Sequence, residues 1–594
     1  MRHLLLLLQL VLIPGVLQAA KATSGFYIHT QPDGTQIEVQ MVGDEHNHYY
    51  LTRQGIMMLK DGNTLYVPDR QEQEKRLRNR LGVGASDVID KLKIKFPHMG
   101  SPRVPVILVE FADTTFSLPN PEVVFDRYLN SEDLRNDDSF VDSVGVKRNT
   151  GSARQYFRDM SFGKFTPRFD VYGPVRMENP LAYYGKSNNT TQLCKDVCKA
   201  MDDVIDFSQY DSDGNGNVDF VYMIVAGYSE SFSRNSSDCM WPQVVWDISG
   251  GTYDGKNVNM AGLSCELHAY PGAFTKKPIK RCSSIGLFVH EFGHALGLPD
   301  LYPNSPNASL NNGSLEYWDV MDGGEYKDNG GYTPSPYTAY ERQSLDWFSI
   351  DTLRENGEYS LLPLDEGGKA YYILADSTRY AESYILENVQ NRGWGYWGTE
   401  EDFQGKGHGL MIIHAYNIDK EFKRGILPNN YPGERYTVAG KTLSGADTTY
   451  IRYRFNSHYH CMSTDTILLS SEWIRKDYFG TYYTIEDYHA SMMAVPFPGP
   501  RNVTAFNATS VSKAWIYQGD GLMHKSLSDI CENDLGEVSF RFETDRPDDL
   551  PALHWNDGTE GLKDRLPCYN LQGMPVDADY RGWVIQGGKI RLLK

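Results

Sequence analysis

Over DGTQIEVQMVGDEHNHYYLTRQG (33–55) apolar and polar positions alternate, with turns at Asp33-Gly34 and Gly43-Asp44. A period of two predicts short half-buried strands. From residue 104 the texture changes. VPVILVEF (104–111) and FVYMIVAG (220–227) are unbroken apolar runs of strand length, as strands inside a sheet would be. GSARQYFRDMSFGKF (151–165) reads as a helix ended by a glycine, and residues 192–204 as another helical run. Over 285–296, Ile285, Phe288, Phe292 and Leu296 recur at helical spacing behind Ser283 and Ser284, either of which can cap. Beyond residue 350 the segments EYSLLPL, AYYILAD, SYILENV, GLMIIHAY and GEVSFRFE are short strands between polar turns, and YNLQGMPV with GWVIQGGKIRLLK forms a last small β-unit.

The pattern predicts an α+β protein divided as follows: a leader over 1–22, a small N-terminal module with linker over 23–98, and a mixed α/β segment over 99–350. A β-rich accessory domain over 351–548 and a short β segment over 549–594 complete it. A chain of 594 residues exceeds what one core supports, which fits this division. The leader rests on MRHLLLLLQLVLIPGVLQAA: a basic start, an apolar run too short to span a bilayer, and small residues Ala19, Ala20 and Ala22 for cleavage. Export follows, to the medium or the cell surface, with no membrane span in the mature chain. The charged run RQEQEKRLRNR (70–80) and the LGVGAS after it read as an exposed linker open to proteolysis. A net charge of −19 argues against nucleic acid and anionic membrane as partners. Eight cysteines in so long a chain are not a disulfide scaffold, and Cys194 and Cys198 on one helical run read as free or separately paired thiols.

Chemistry concentrates in VHEFGHALGLPDLY (289–302). On a helix His290 and His294 share a face, so both imidazoles can serve one zinc ion, with Glu291 beside them as general base and acid. Gly297 lets the chain leave the helix with positive φ, and Asp300, three residues on, can return as third ligand. Glu316 and Glu325 are the rivals for that place. The full match is HExxHxxGxxD, the arrangement of metzincin proteases with aspartate where histidine is usual. In YWDVMDGGEY, Met321 beside Gly323-Gly324 suits the methionine turn of such enzymes, and Tyr326 can turn toward the oxyanion of a tetrahedral intermediate. DSDGNGNVD spaces Asp211, Asp213, Asn215 and Asp219 as calcium ligands around Gly216. Position twelve is Tyr222 and not glutamate, so a complete EF-hand is not expected.

These stretches, with VPVILVEFAD, GSARQYFRDMSFGKFTPRFDVYGPV and SYILENVQ, lie in an order that resembles the M6 family of secreted metalloproteases, the immune inhibitor A type. The resemblance covers roughly residues 100–415 and implies a metzincin-like catalytic domain, zinc, and endopeptidase action on proteins or peptides. It also implies that residues 23–98 act like the propeptides of such zymogens, and the chain's end is similar to C-terminal segments of exported bacterial proteins. Gln243 and Pro303 depart from the family pattern without touching the proposed ligands. With no cysteine between residues 21 and 193, latency would need a carboxylate such as Asp44 or Glu45, or steric filling of the cleft, relieved by cleavage within 70–95. The alternatives are an adhesive binding protein working through its β-rich half, or a cell-wall peptide amidase. An intact general base argues against the first.

Overall fold

The computed structural model describes residues 17–19, 22, 26–42, 48–52, 56–68, 96–134, 150–231, 238–270, 279–302, 314–327, 331–376, 379–398, 403–416, 418, 431–441, 447–456, 458–465, 468, 485–516, 523–544, 568–570, 575–576, 582–586 and 589–593. The charged run 70–80 with its linker, Asp44, Glu45, Pro303 and most of the leader lie outside them.

The described residues of Met1–Pro547 form one unit of mixed α and β structure. Its central sheet runs in the order Leu17–Ala19, Gln243–Trp246, Met260–Tyr270, Val221–Tyr228, Arg103–Glu110, Arg168–Arg176, with Ile279–Cys282 also paired to Met260–Tyr270. The strands from Met260–Tyr270 to Arg168–Arg176 are mutually parallel, and Gln243–Trp246 and Leu17–Ala19 add antiparallel. Side chains of 104–109 leave the sheet alternately on two faces. Val104, Val106 and Leu108 join one core, Ile107 and Val109 another. Both faces are apolar because both are covered, which is why the sequence there shows no alternation.

One face carries the motif helix, Ile285–Leu296. Ser284 caps its start by accepting from the Gly286 amide, and Gly297 at φ 102° ends it in the left-handed region that a Cβ disfavours. Phe288 and Phe292 pack among Phe157, Phe165, Phe169, Phe220 and Phe96 with ring centroids 5.0–6.4 Å apart. Each buried phenylalanine contributes roughly 1.5–3 kcal/mol. The other face is closed by Thr190–Met201, whose Leu193, Cys194, Val197 and Cys198 point into the second core. The Sγ atoms of Cys194 and Cys198 are 3.8 Å apart and unbridged. The helix expected over 151–165 is shorter, Ala153–Met160, because Ser152 caps it and Phe162 and Gly163 both take positive φ.

A five-stranded sheet beyond residue 350 (Asp351–Thr352, Tyr371–Asp376, Arg379–Val389, Gly409–Tyr416, Tyr459–Cys461) lies between two cores. Tyr372, Leu374, Ile385, Met411 and Ile413 enter the core under the motif helix. Ile373, Tyr384, Leu386, Leu410 and Ile412 face a three-stranded sheet of Gly357–Leu361, Val538–Thr544 and Lys525–Glu532. At the other end, Tyr27–Thr30, Gln36–Val42, Tyr49–Thr52, Met57–Asp61 and Thr64–Tyr66 make an antiparallel sheet with its own small core. Residues 548–594 are a separate unit whose four described strands pair antiparallel. No helix among the described residues is long and apolar enough to cross a membrane.

Candidate metal centre

The helical spacing brings His290 and His294 onto one face, with ring planes at 85° and Nε2 atoms 3.2 Å apart. Gly297 turns the chain back, and Asp300 Oδ1 arrives 3.4 Å from His290 Nε2 and 3.2 Å from His294 Nε2. The other ring nitrogens are committed. His290 Nδ1 is 2.7 Å from the Val320 carbonyl oxygen and His294 Nδ1 is 2.8 Å from that of Leu298. A carbonyl only accepts, so each Nδ1 carries the proton and each neutral ring turns a bare Nε2 inward. Burial pushes His290 below its ordinary pKa, outweighing the nearby Asp300 that would raise it. Burial alone would raise Asp300, but the two imidazoles hold its carboxyl below the usual carboxylate range.

Two lone-pair nitrogens and a carboxylate oxygen, all buried, thus face one another at 3.2–3.4 Å. Without a cation this repels. Zinc with bonds of about 2.0–2.1 Å to tetrahedral ligands separates those ligands by about 3.3 Å, so the donor set fits the metal. The rivals lie elsewhere. Glu316, at φ 51°, accepts from the Tyr488 hydroxyl at 3.1 Å. Glu325 Oε2 is 3.2 Å from His290 Nδ1, the nitrogen on the far side of the ring.

Met321 is fully buried, and its sulfur lies so close to Gly293 that a Cβ there would come within 2.6 Å of it. The methionine therefore packs beneath the helix between the two histidines. The turn is tied down by Met321 N donating to Asp319 Oδ1 at 2.6 Å and Leu301 N donating to Met321 O at 2.8 Å. Tyr326 is buried with its hydroxyl 3.2 Å from Ser231 Oγ. Burial raises its pKa, and the charges of Glu325 and Glu291 add to that, so it is an electrostatic neighbour of Glu291. Glu291 itself is fully buried.

The acidic loop also gathers. Oxygens of Asp211, Asp213 and Asp219 lie within 4.8 Å of one another. Asn215 turns its Oδ1 to the Asn217 amide instead, at 2.8 Å. Lys256 Nζ, which sequence reasoning missed, sits 2.6 Å from Asp211 Oδ2 and holds that carboxyl below its usual pKa. Tyr222 is a strand residue with its ring 4.5 Å from that of Phe288, far from a twelfth loop ligand in role.

Residues 96–350 match the family model described as immune inhibitor A peptidase M6, catalytic domain. This segment belongs to the M6 peptidases. Within it lie both histidines, Glu291, Asp300 and Met321. The chain is 26% identical over 284 residues to immune inhibitor A of Bacillus thuringiensis subsp. alesti, covering 41% of this chain and 39% of the relative. It is also 26% identical over 325 residues to the pre-pro-metalloprotease PrtV of Vibrio cholerae serotype O1 (strain M66-2), covering 47% of this chain and 34% of the relative. The chain thus spans well under half the length of these relatives.

Proposed function

We propose that the chain is an exported zinc endopeptidase with a metzincin-like catalytic domain, made as a zymogen. The reading is carried by the triangle of His290 Nε2, His294 Nε2 and Asp300 Oδ1, whose edges of 3.2–3.4 Å suit one tetrahedral ion. Zinc held by those three supplies Lewis acidity, polarising the scissile carbonyl and making water nucleophilic near neutral pH. Glu291, next to His290 on the helix, takes the proton of the attacking water and returns it to the leaving amine. Tyr326, released from Ser231, donates to the developing oxyanion. Met321 and Gly293 set the floor on which both imidazoles rest. Hydrolysis of casein by protein freed of residues 1–95 tests this, with Glu291→Ala alongside. Wild type is expected to cut and Glu291→Ala to lose at least about 10²-fold. Equal rates, or no hydrolysis by zinc-loaded wild type, sink the reading.

The proposed organisation is a leader (1–22), a propeptide-like module (23–98), the catalytic domain (99–350), a β-rich accessory part (351–548) that shares the motif helix's core, and a C-terminal segment (549–594). Cleavage near Ala20 would remove the strand Leu17–Ala19 from the edge at Gln243–Trp246. The name pre-pro-metalloprotease, borne by the Vibrio relative, is consistent with a leader and a propeptide here. A calcium ion held by Asp211, Asp213 and Asp219 would displace Lys256 Nζ from Asp211. Isothermal titration with calcium, against Asp213→Asn, checks it. A wild type without a binding isotherm ends that part of the proposal.

A further inference from the structure

Behind His290 the turn after Met321 brings in a second carboxylate that needs a role. Glu325 Oε2 stands 3.2 Å from His290 Nδ1, with both side chains fully buried. Its placement is not a matter of a loose side chain. The Glu325 carbonyl oxygen is wedged between Gly286, in the first turn of the motif helix, and Gly331, where a Cβ on either would come within 2.0 Å. Gly286 N donates to Gly331 O at 3.1 Å across the same junction. Gly324 is equally closed in, since its Cβ would lie 2.4 Å from Asp319 O. Three glycines thus let the turn Gly324–Tyr326 press against the helix that carries the histidines, and Glu325 is delivered to the back of the first one.

We infer that Glu325 is the positioning residue of His290. This rests on the zinc-site reading above. The Val320 carbonyl accepts the Nδ1 proton, at 2.7 Å, and Glu325 Oε2 closes the same side of the ring at 3.2 Å. The ring is thereby locked with Nε2 bare and facing Asp300 and His294. Carboxylates placed behind ligating histidines raise the donor strength of Nε2 toward a cation. A ligand role for Glu325 would require it to leave Nδ1 and pass to the other side of a fully buried ring. Asp300 already stands there. Among the described residues, His294 Nδ1 has the Leu298 carbonyl in the corresponding place, at 2.8 Å. The two histidines are therefore not equivalent, and His290 is the one with a carboxyl group behind it.

The experiment compares wild type, Glu325→Gln, Glu325→Ala and Asp300→Asn as full-length chains. Zinc affinity is measured by competition with a chelator, the visible spectrum is recorded on cobalt(II)-loaded protein, and metal-free thermal midpoints check folding. Glu325→Gln keeps the shape and removes the charge. It is expected to weaken zinc roughly 10-fold and Glu325→Ala up to roughly 100-fold. Both should keep the wild-type cobalt band pattern, whereas Asp300→Asn should change it. Unchanged zinc affinity in folded Glu325→Gln overturns the inference. So does a cobalt spectrum altered as in Asp300→Asn, which would make Glu325 a ligand. If wild type holds neither metal, the zinc-site reading falls, and this inference with it. If Glu325→Ala fails to fold, the isosteric glutamine variant decides alone.

Discussion

The sheet of residues 27–66 and the strands beyond residue 350 flank the peptidase segment, but they attach to it differently. The described core of the N-terminal sheet takes in one peptidase-segment side chain, Trp241, which is fully buried and stacked on His48 at 5.0 Å. The later strands put Tyr372, Leu374, Ile385, Met411 and Ile413 into the same core as Phe288 and Phe292 of the motif helix. Trp394 goes furthest. It meets Tyr156 edge to face at 5.1 Å and donates to Asp159 Oδ2 at 2.9 Å. It also closes over Gly151, where a Cβ would come within 2.9 Å of the indole. Among the described residues, a body whose apolar core takes in one tryptophan of the segment can leave without unmaking the site. A body that shares the core cannot.

The largest expected effect follows from the shared core. Trp394→Ala should cost about 3–5 kcal/mol and lower the unfolding midpoint of the peptidase segment itself, measured by calorimetry on the full chain. If it leaves that midpoint unchanged, the later strands are an independent domain and the comparison breaks. Trp241→Ala removes a comparable side chain, but its effect should fall on the attachment of the N-terminal sheet. That sheet should become sensitive to limited proteolysis, and casein hydrolysis by uncleaved protein should rise. A loss of peptidase stability equal to that of Trp394→Ala would erase the distinction.

A smaller effect concerns pH. Glu230 faces the N-terminal sheet, near Lys60 and Tyr50, with Asp238 beside it. Burial, partly offset by Lys60, raises its pKa from 4.5 to about 8. A carboxyl whose pKa is higher when docked favours docking fully below its free pKa, and that contribution is lost as pH rises through the docked value. Attachment should therefore weaken between roughly pH 4.5 and 8, seen as faster proteolytic release, and Glu230→Gln should flatten the profile. Release that speeds up toward acid pH would contradict this.

Much of the site was legible because it is local. The histidine pair depends on helical spacing, the reversal on Gly297, and the floor on a methionine in a glycine turn, all readable within 32 residues from His290 to Met321. What depends on tertiary approach was not. Glu325 reads as a rival ligand in sequence, and only the wedge between Gly286 and Gly331 puts it behind His290 rather than beside the metal. Lys256 reaches Asp211 from 45 residues away. The strands after residue 350 suggested a domain of their own. Their runs YYILA and LMII carry apolar residues on both faces, which is the one local sign that each face packs against something. The WPQ segment drew notice for Gln243, which donates to Thr190, while its tryptophan holds the N-terminal sheet.

The central claim is one zinc ion held by His290, His294 and Asp300. Anomalous diffraction at the zinc edge, from crystals of the zinc-loaded protein, tests it most directly. The account predicts a single strong peak about 2.0–2.2 Å from His290 Nε2, His294 Nε2 and an Asp300 oxygen. A peak ligated by Glu316 or Glu325 in place of Asp300, or no peak between the two histidines, would contradict it.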